Sequence, residues 1–473
     1  MRIGIQDKSG IISQLLFWAL LLTGAIVFGY QLAYTLRTAP VYCDSGYYLA
    51  IARQMVDGHR LYSDIHCAYP PLWLYTASVI FRLFPGMDYS GWLLLQAAVN
   101  LLTGLFAGLV TYKFGQSRIF AVIAGWLFVC SSYNFGGDSV LLEVPSLLLG
   151  LVSAWLILSH PRGLCAALFA GLLAAAAMGV KQYGGGFILL NVGLLLYTRE
   201  RFWKRLALYL AGAAILWAAL LSLNPDMLMI FRSGYGTSQT AEALYSDRPL
   251  LRHIPEALRL LLHDFLPALV LLLWIPLYKQ RHQAYALLWC LGGLAGFLGQ
   301  FYFNNGDHYY LYLMGMGSVA IGCMGAFFCH RSFWLSAIYC LLLCKTVNCQ
   351  AVHYQTCSWY RNGDKAFAGR ITENILSHTQ PDSRLYVFNA EDFGQYYLTR
   401  LQPPRINGKL SYSFGPLVLT DSLVSQRIRH SDYILKRTNL EWEFKVCDSL
   451  NTLLSQCDTL YRDSTAVLLA PVR

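Results

Sequence analysis

Charge is what this 473-residue chain has least of: Asp, Glu, Lys and Arg together make up 13% of it, against 56% hydrophobic residues. A soluble domain carries roughly a quarter charged residues, so the composition excludes an ordinary soluble protein and leaves a polytopic membrane protein. No CxxC or HExxH occurs, so no zinc site is indicated, and the glycines form neither a P-loop nor a dinucleotide fingerprint. The apolar run from Ile11 to Ala33 is too long for a cleaved leader and is followed by no small-x-small site, so it reads as an uncleaved first span. The net charge of +10 needs no nucleic acid to explain it, because Lys and Arg accumulate in the cytoplasmic loops of membrane proteins.

Apolar segments lie near 15–36, 91–112, 118–133, 140–159, 164–180, 185–198, 206–223, 265–278, 284–303, 308–329 and 332–348. Taken as eleven spans with the N-terminus inside, they leave cytoplasmic pieces with 12 Lys and Arg in 35 residues. The opposite loops hold 9 in 117, the positive-inside asymmetry. Counting 69–84 as a further span would put RERFWKR on the wrong side, so that segment reads as an interfacial helix of the first outer loop. The predicted architecture is a polytopic α-helical domain over 1–349, with a first external loop at 35–90 and a long external loop at 224–264. A small external α/β domain over 350–473 completes it. In the tail, DKAFAGRITENILSH and DFGQYYLTR have helical patterns, while RLYVFNA and TAVLLAPV read as strands.

None of the 26 Asp and Glu residues falls in the middle of a span on this map. Ion-coupled transporters place relays and counter-ions there, so the pattern favours an enzyme at one membrane surface over a carrier. Asp44, just beyond the first span, is placed about one turn before a helix, where it is either an N-cap or a general base. Asp138 and Glu143 share a polar stretch between two spans, with Glu143 at a helix start that suits a carboxylate. Lys181, in GVKQYGGG, is a snorkelling lysine or a phosphate contact. Arg232, Arg248, Arg252 and His253 supply further cations on loop 224–264, and His308 opens a span within an aromatic belt. Cys43 and Cys67 share the first loop and Cys447 and Cys457 the tail; either pair is open to bridging in an oxidising compartment.

Four stretches, in order over roughly residues 10–200, carry a resemblance: DSGYY from Asp44, YPPLW from Tyr69, LEVPSLLL around Glu143, and KQYG from Lys181. Together they resemble the GT-C superfamily of integral-membrane glycosyltransferases that use polyprenyl-phosphate sugars, and within it the protein O-mannosyltransferase and lipid A aminoarabinose transferase group. The resemblance implies that Asp44 is the catalytic base and that Glu143 positions the acceptor or supports a bound cation, with its neighbour Asp138 a weaker candidate. Lys181 would contact the donor phosphate, with Arg232, Arg252 and His308 as further cations there. Tyr47, Tyr48 and Tyr69 would face the substrate, although Tyr69 stands where relatives often carry Lys, so one phosphate contact has to come from elsewhere. The implied reaction is an inverting transfer of a sugar to a hydroxyl of a lipid, glycan or protein acceptor at the periplasmic face of a bacterial inner membrane. Two alternatives stay open: a lipid-linked-sugar carrier or flippase, and an O-antigen-ligase-like enzyme using a diphosphate donor.

Overall fold

The computed structural model describes residues 3–41, 43–67, 69–228, 253–277, 280–302, 307–329, 333–356, 365–388, 392–412, 421–438, 448–464 and 466–472. In chain order the first elements are α1 (Ile3–Thr38), α2 (Cys43–Val56), β1 (Ile65–His66) and α3 (Leu72–Leu83). Then come α4 (Tyr89–Gly115), α5 (Arg118–Ser132), α6 (Glu143–Ser159), α7 (Leu164–Val180), α8 (Gly186–Thr198) and α9 (Phe202–Leu223). After these follow α10 (His253–Arg259), α11 (Arg281–Leu298), α12 (Tyr310–Phe328) and α13 (Phe333–Thr356). The tail holds α14 (Lys365–His378), β2 (Leu385–Val387), α15 (Gly394–Thr399), β3 (Arg405–Ile406), β4 (Lys409–Ser411) and α16 (Asp421–Arg429). It closes with β5 (Tyr433–Arg437), α17 (Asp448–Ser455), β6 (Asp458–Arg462) and β7 (Ala466–Ala470). The chain divides into a helical unit (Met1–Arg37, Trp92–Ala219, Leu250–Tyr360) and a mixed unit (Thr38–Gly91, Leu220–Pro249, Arg361–Arg473).

Seven helices of the described residues are long and apolar enough to cross a membrane, and α6 and α7 are apolar but shorter. Each of the eleven apolar segments read from the sequence falls on a helical piece. The segment near 265–278 is not an α-helix, however: a π-turn over Leu260–Phe265 leads into a 3₁₀-helix over Pro267–Leu277. At about 2.0 Å per residue, its 11 residues stretch further than an α-helix of that length would. The last span also outruns its expected end near 348 and continues to Thr356. Gln350 holds that extension, donating to the Phe265 carbonyl at 2.7 Å and accepting from Asn134 at 2.6 Å.

Within the helical unit, α12 is the axis: every residue from Tyr310 to Phe328 is buried. Helices that cannot draw on a hydrophobic effect inside a bilayer associate through close backbone approach and shared hydrogen bonds. Both devices are present. GLFAG on α4 faces AVIAG on α5, and a Cβ on Gly104 would sit 2.8 Å from the Gly125 carbonyl oxygen. The reverse contact, from Gly125 to the Gly104 oxygen, would be 2.9 Å. Between α6, α7 and α8, Asn191 donates to Ser153 Oγ at 2.8 Å, and Ser153 donates to the Ala170 carbonyl at 2.7 Å.

In the mixed unit, β2 pairs parallel with β5, and β5–β7–β6 continue antiparallel. One face buries Tyr386, Phe388, Ile434, Val467 and Leu469 against Val424, Ile428 and Leu454. The sequence separates the first loop from the tail by about 300 residues, yet the structure joins them. Strand β1 from the loop pairs parallel with β4, completing the sheet β1–β4–β3. Helix α2 meets α15 at a glycine pair, where a Cβ on Gly46 would lie 2.6 Å from the Gly394 nitrogen and 2.8 Å from the Phe393 oxygen. Arg53 clamps the junction, its guanidinium 5.0 Å from the Phe81 ring and 4.7 Å from the Tyr397 ring, with Nη1 donating to the Tyr397 carbonyl at 3.2 Å.

Overpacking at such contacts costs about 1–3 kcal/mol or more. Gly125→Leu is therefore expected to lower the thermal unfolding midpoint in detergent by several degrees. Gly29→Leu, where an added Cβ meets nothing within 4 Å, is expected to leave it nearly unchanged. Equal midpoints for the two variants would refute the close-approach account of α4 and α5.

Candidate active site

Three residues singled out in the sequence come together in the helical unit. Glu143 opens α6 and is fully buried; Lys181 caps the end of α7 and is 1% exposed. Lys181 Nζ lies 2.8 Å from Glu143 Oε1, and His308 Nε2 lies 3.8 Å from the same oxygen. The Tyr309 ring covers the ammonium, with its centroid 5.5 Å from Nζ. Behind the pair, Tyr312 donates to Ser146 Oγ at 2.7 Å, and Ser146 donates to the Ala177 carbonyl at 2.8 Å. The free backbone N–H groups at the start of α6 are a favourable setting for a carboxylate, and the Lys181 ammonium faces it directly.

Taking two charges out of water costs several kcal/mol per ion, which their attraction repays only in good geometry. The same arrangement bears on the cation that the sequence resemblance allows at Glu143. That carboxylate already faces an ammonium at 2.8 Å, so a divalent ion would meet a neutralised ligand beside a positive charge. The residues present do not fit a metal there. Among the described residues no group of three or more His, Cys, Asp and Glu side chains is placed to hold one.

Asp138 lies in the turn between α5 and α6, where Gly136 adopts φ +80° and Asn100 donates to the Gly137 carbonyl at 2.5 Å. Asp138 is largely buried. Arg232, Arg248 and Arg252 lie outside the described residues, as does the side chain of His253.

Asp44 belongs to the mixed unit. Helix α2 begins at Cys43, so Asp44 sits inside the first turn rather than one turn ahead of it, buried to 5% exposure. Tyr47 and Tyr48, expected to face substrate, are packed in an aromatic cluster. Tyr47 meets Tyr69, Phe393 and Tyr412 at centroid distances of 5.9, 6.2 and 5.6 Å, and Tyr48 meets Tyr69 at 5.1 Å. Tyr69 is half-buried beside them. Cys67 and Cys457 are free thiols; burial pushes the Cys67 thiol up to about 11. The side chains of Cys43 and Cys447 lie outside the described residues.

A feature the sequence reading missed adjoins the charged cluster. A groove of about 1100 Å³ runs along α8 and α11, from Gln182, Tyr183 and Gln300 at one end to Arg199 and Phe202 at the other. Its α11 wall is the glycine-rich GGLAGFLG, and its α8 wall includes Gly193; an added Cβ on Gly193 or Gly296 would meet nothing within 4 Å. At the upper end, Tyr183 stacks edge-on to Tyr309 at 5.3 Å, and Gln300 donates to the Tyr309 carbonyl at 3.0 Å. One aromatic residue therefore touches both the mouth of the groove and Lys181. The recurrence of glycine at 292, 296 and 299 was the available signal, since three- and four-residue spacing places those residues on one helix face.

No protein-family model matches the chain, and no curated protein matches it. Solved structures do. ArnT from Cupriavidus metallidurans bound to undecaprenyl phosphate superposes with a TM-score of 0.63 at 14% identity, covering 96% of this chain and 97% of that one. The same protein in the apo state gives 0.61 at 14% identity, covering 98% of each. The oligosaccharyltransferase of Archaeoglobus fulgidus, in complex with Zn and sulfate, gives 0.56 at 12% identity, covering 87% of this chain and 68% of that one. The chain thus has the membrane fold that these proteins share, in keeping with the GT-C resemblance of its sequence motifs.

Breaking a buried ion pair strands one charge, at about 3–5 kcal/mol. Lys181→Met alone is expected to destabilise the protein strongly, and Glu143→Gln with Lys181→Met to recover most of the loss in thermal unfolding. A double variant no more stable than Lys181→Met would refute the pairing.

Proposed function

We propose that this protein is a membrane glycosyltransferase that moves a sugar from a polyprenyl-phosphate donor to an acceptor hydroxyl. The observation carrying the reading is the long apolar groove whose mouth shares Tyr309 with the buried Lys181. A polyprenyl chain suits an apolar trough lined by glycines, and an anionic phosphate at its head suits a mouth next to an ammonium and an imidazole. The solved relative that binds undecaprenyl phosphate supports the same choice of donor.

The chemistry needs few parts, because a phosphate monoester is already a good leaving group. The Asp44 carboxylate takes the proton of the acceptor hydroxyl, and the oxygen attacks the anomeric carbon from the side opposite the phosphate. The bond from that carbon to the phosphate oxygen breaks, and its electron pair leaves with polyprenyl phosphate. The anomeric configuration inverts. Asp44 is the general base, and Lys181 with His308 stabilises the charge gathering on the departing phosphate. Glu143 acts through Lys181, holding the ammonium in place. Asp138 is a secondary catalytic candidate, and the cations of loop 224–264, Arg232 and Arg252 among them, are further candidates for the donor phosphate. Tyr69 borders the acceptor side, while Tyr47 and Tyr48 support it from behind. The charge asymmetry of the loops supports the outer face of a bacterial inner membrane as the site of reaction, with the tail on the same side.

Purified protein given a labelled polyprenyl-phosphate sugar and native membrane extract is expected to release polyprenyl phosphate. Asp44→Asn is expected to cut that rate by 10² or more, the scale of general-base catalysis, with donor KM unchanged. Gly296→Leu is expected to raise donor KM several-fold. An Asp44→Asn rate equal to wild type removes it as base, and absence of release with every sugar donor favours a carrier or a diphosphate-dependent ligase.

A further inference from the structure

A second groove lies on the other side of α5, within the helical unit. It measures about 490 Å³ and is walled by α1, α5 and α13. Its composition changes along its length. Leu20, Val122, Ile123 and Leu343 line one end, while Gln31, Ser131, Gln350 and Tyr354 line the other, the end of α5 that leads toward Glu143. Among the described residues no charged one lines it.

The polar end contains two buried groups whose hydrogen bonding is incomplete among the described residues. Gln31 is 4% exposed and Ser131 1%. Gln31 Nε2 donates to the Cys130 carbonyl at 3.1 Å, which fixes the orientation of the amide and leaves Oε1 as an acceptor without a donor. Ser131 Oγ has no partner either. The adjacent Ser132 shows the usual solution, donating back to the Val129 carbonyl at 2.8 Å; Ser131 does not. A buried polar atom left without a partner costs about 1–3 kcal/mol, so two of them at one end of an apolar trough call for a ligand group there.

The unmet demands specify that group. Oε1 accepts and must be given a hydrogen; the Ser131 hydroxyl donates or accepts. A polyprenyl chain has no donor, and its phosphate would meet no cation in this groove. A glycerolipid ester offers acceptors alone and leaves Oε1 unmet. We propose that this groove holds one acyl chain of a membrane amphiphile whose polar linkage carries an amide N–H or a hydroxyl. The N–H or O–H is donated to Gln31 Oε1, the Ser131 hydroxyl donates to the linkage carbonyl, and the chain runs down past Val122 toward Leu20. The site is separate from the α8–α11 groove and does not depend on the transferase reading.

Two probes that differ in a single atom test it: methyl N-hexadecanoylglycinate, with an amide N–H, and methyl hexadecanoyloxyacetate, its ester isostere. Binding to the full-length protein in detergent is followed by native mass spectrometry. The wild type is expected to bind the amide about tenfold more tightly than the ester, the effect of one buried hydrogen bond. Gln31→Leu is expected to abolish that preference, and Val27→Trp, which fills the trough, to weaken both probes. Should Gln31→Leu fail to fold, Ser131→Ala is expected to weaken the amide severalfold, and the wild-type ratio still decides. Equal binding of the two probes by the wild type, as when a water molecule serves Gln31, overturns the proposal. So does binding of neither, or an amide preference that survives both substitutions.

Discussion

The buried pair of Glu143 and Lys181 is the constraint on which the helical unit turns. Two charges at 2.8 Å with almost no exposure have to be kept together, since separating them in a medium of low dielectric leaves either one uncompensated. That requirement fixes the start of α6 against the end of α7, and it draws in the turn bearing His308 and Tyr309. Ser146 and Tyr312 then tie α6, α7 and α12 one helical turn deeper. An ammonium placed by such a network has little freedom to reorganise, which is the property asked of a group that stabilises charge developing in a transition state.

The mixed unit solves a different problem with a different device. A loop of about fifty residues between two helices would ordinarily move independently of a tail some 300 residues later. Here β1 enters a sheet with β3 and β4, Lys409 Nζ donates to the Tyr62 carbonyl at 2.8 Å, and Gly46 admits Gly394. The helix that carries Asp44 is thereby packed against α15 as well as against α3. The aromatic residues after Asp44 serve this packing: Tyr47 and Tyr48 form its core, so a substitution there perturbs the support of Asp44 before it touches any ligand.

What could be read from the sequence and what could not divide along physical lines. Hydrophobic runs are local, so the helical segments were legible, and in the tail so were α14, α15, β2 and β7, while β3 to β6, α16 and α17 were not read. The order of DSGYY, YPPLW, LEVPS and KQYG pointed to the fold and singled out Glu143 and Lys181, while His308 stood out on its own at the start of a later span. Their pairing was not legible, because residues 38 and 165 positions from Glu143 have no periodic relation to it. Gly46 looked like part of a motif, and its reason for being glycine lies on the distant Gly394. The π-turn and 3₁₀ stretch over 260–277 has an apolar pattern that suits any helix, so its irregularity stayed hidden. The α8–α11 groove was signalled by glycine spacing, but a glycine face can serve close packing or open space, and in α11 Gly293 is packed while Gly296 is open.

The central claim is that the donor's lipid lies along α8 and α11 with its phosphate next to Tyr309 and Lys181. Photo-crosslinking with a diazirine-bearing polyprenyl phosphate, followed by peptide mapping of the purified protein, tests it most directly. The account predicts adducts concentrated in residues 186–197 and 288–300 and suppressed by an excess of unlabelled polyprenyl phosphate. Competable adducts confined to α1, α5 or α13, with none on α8 or α11, would contradict it.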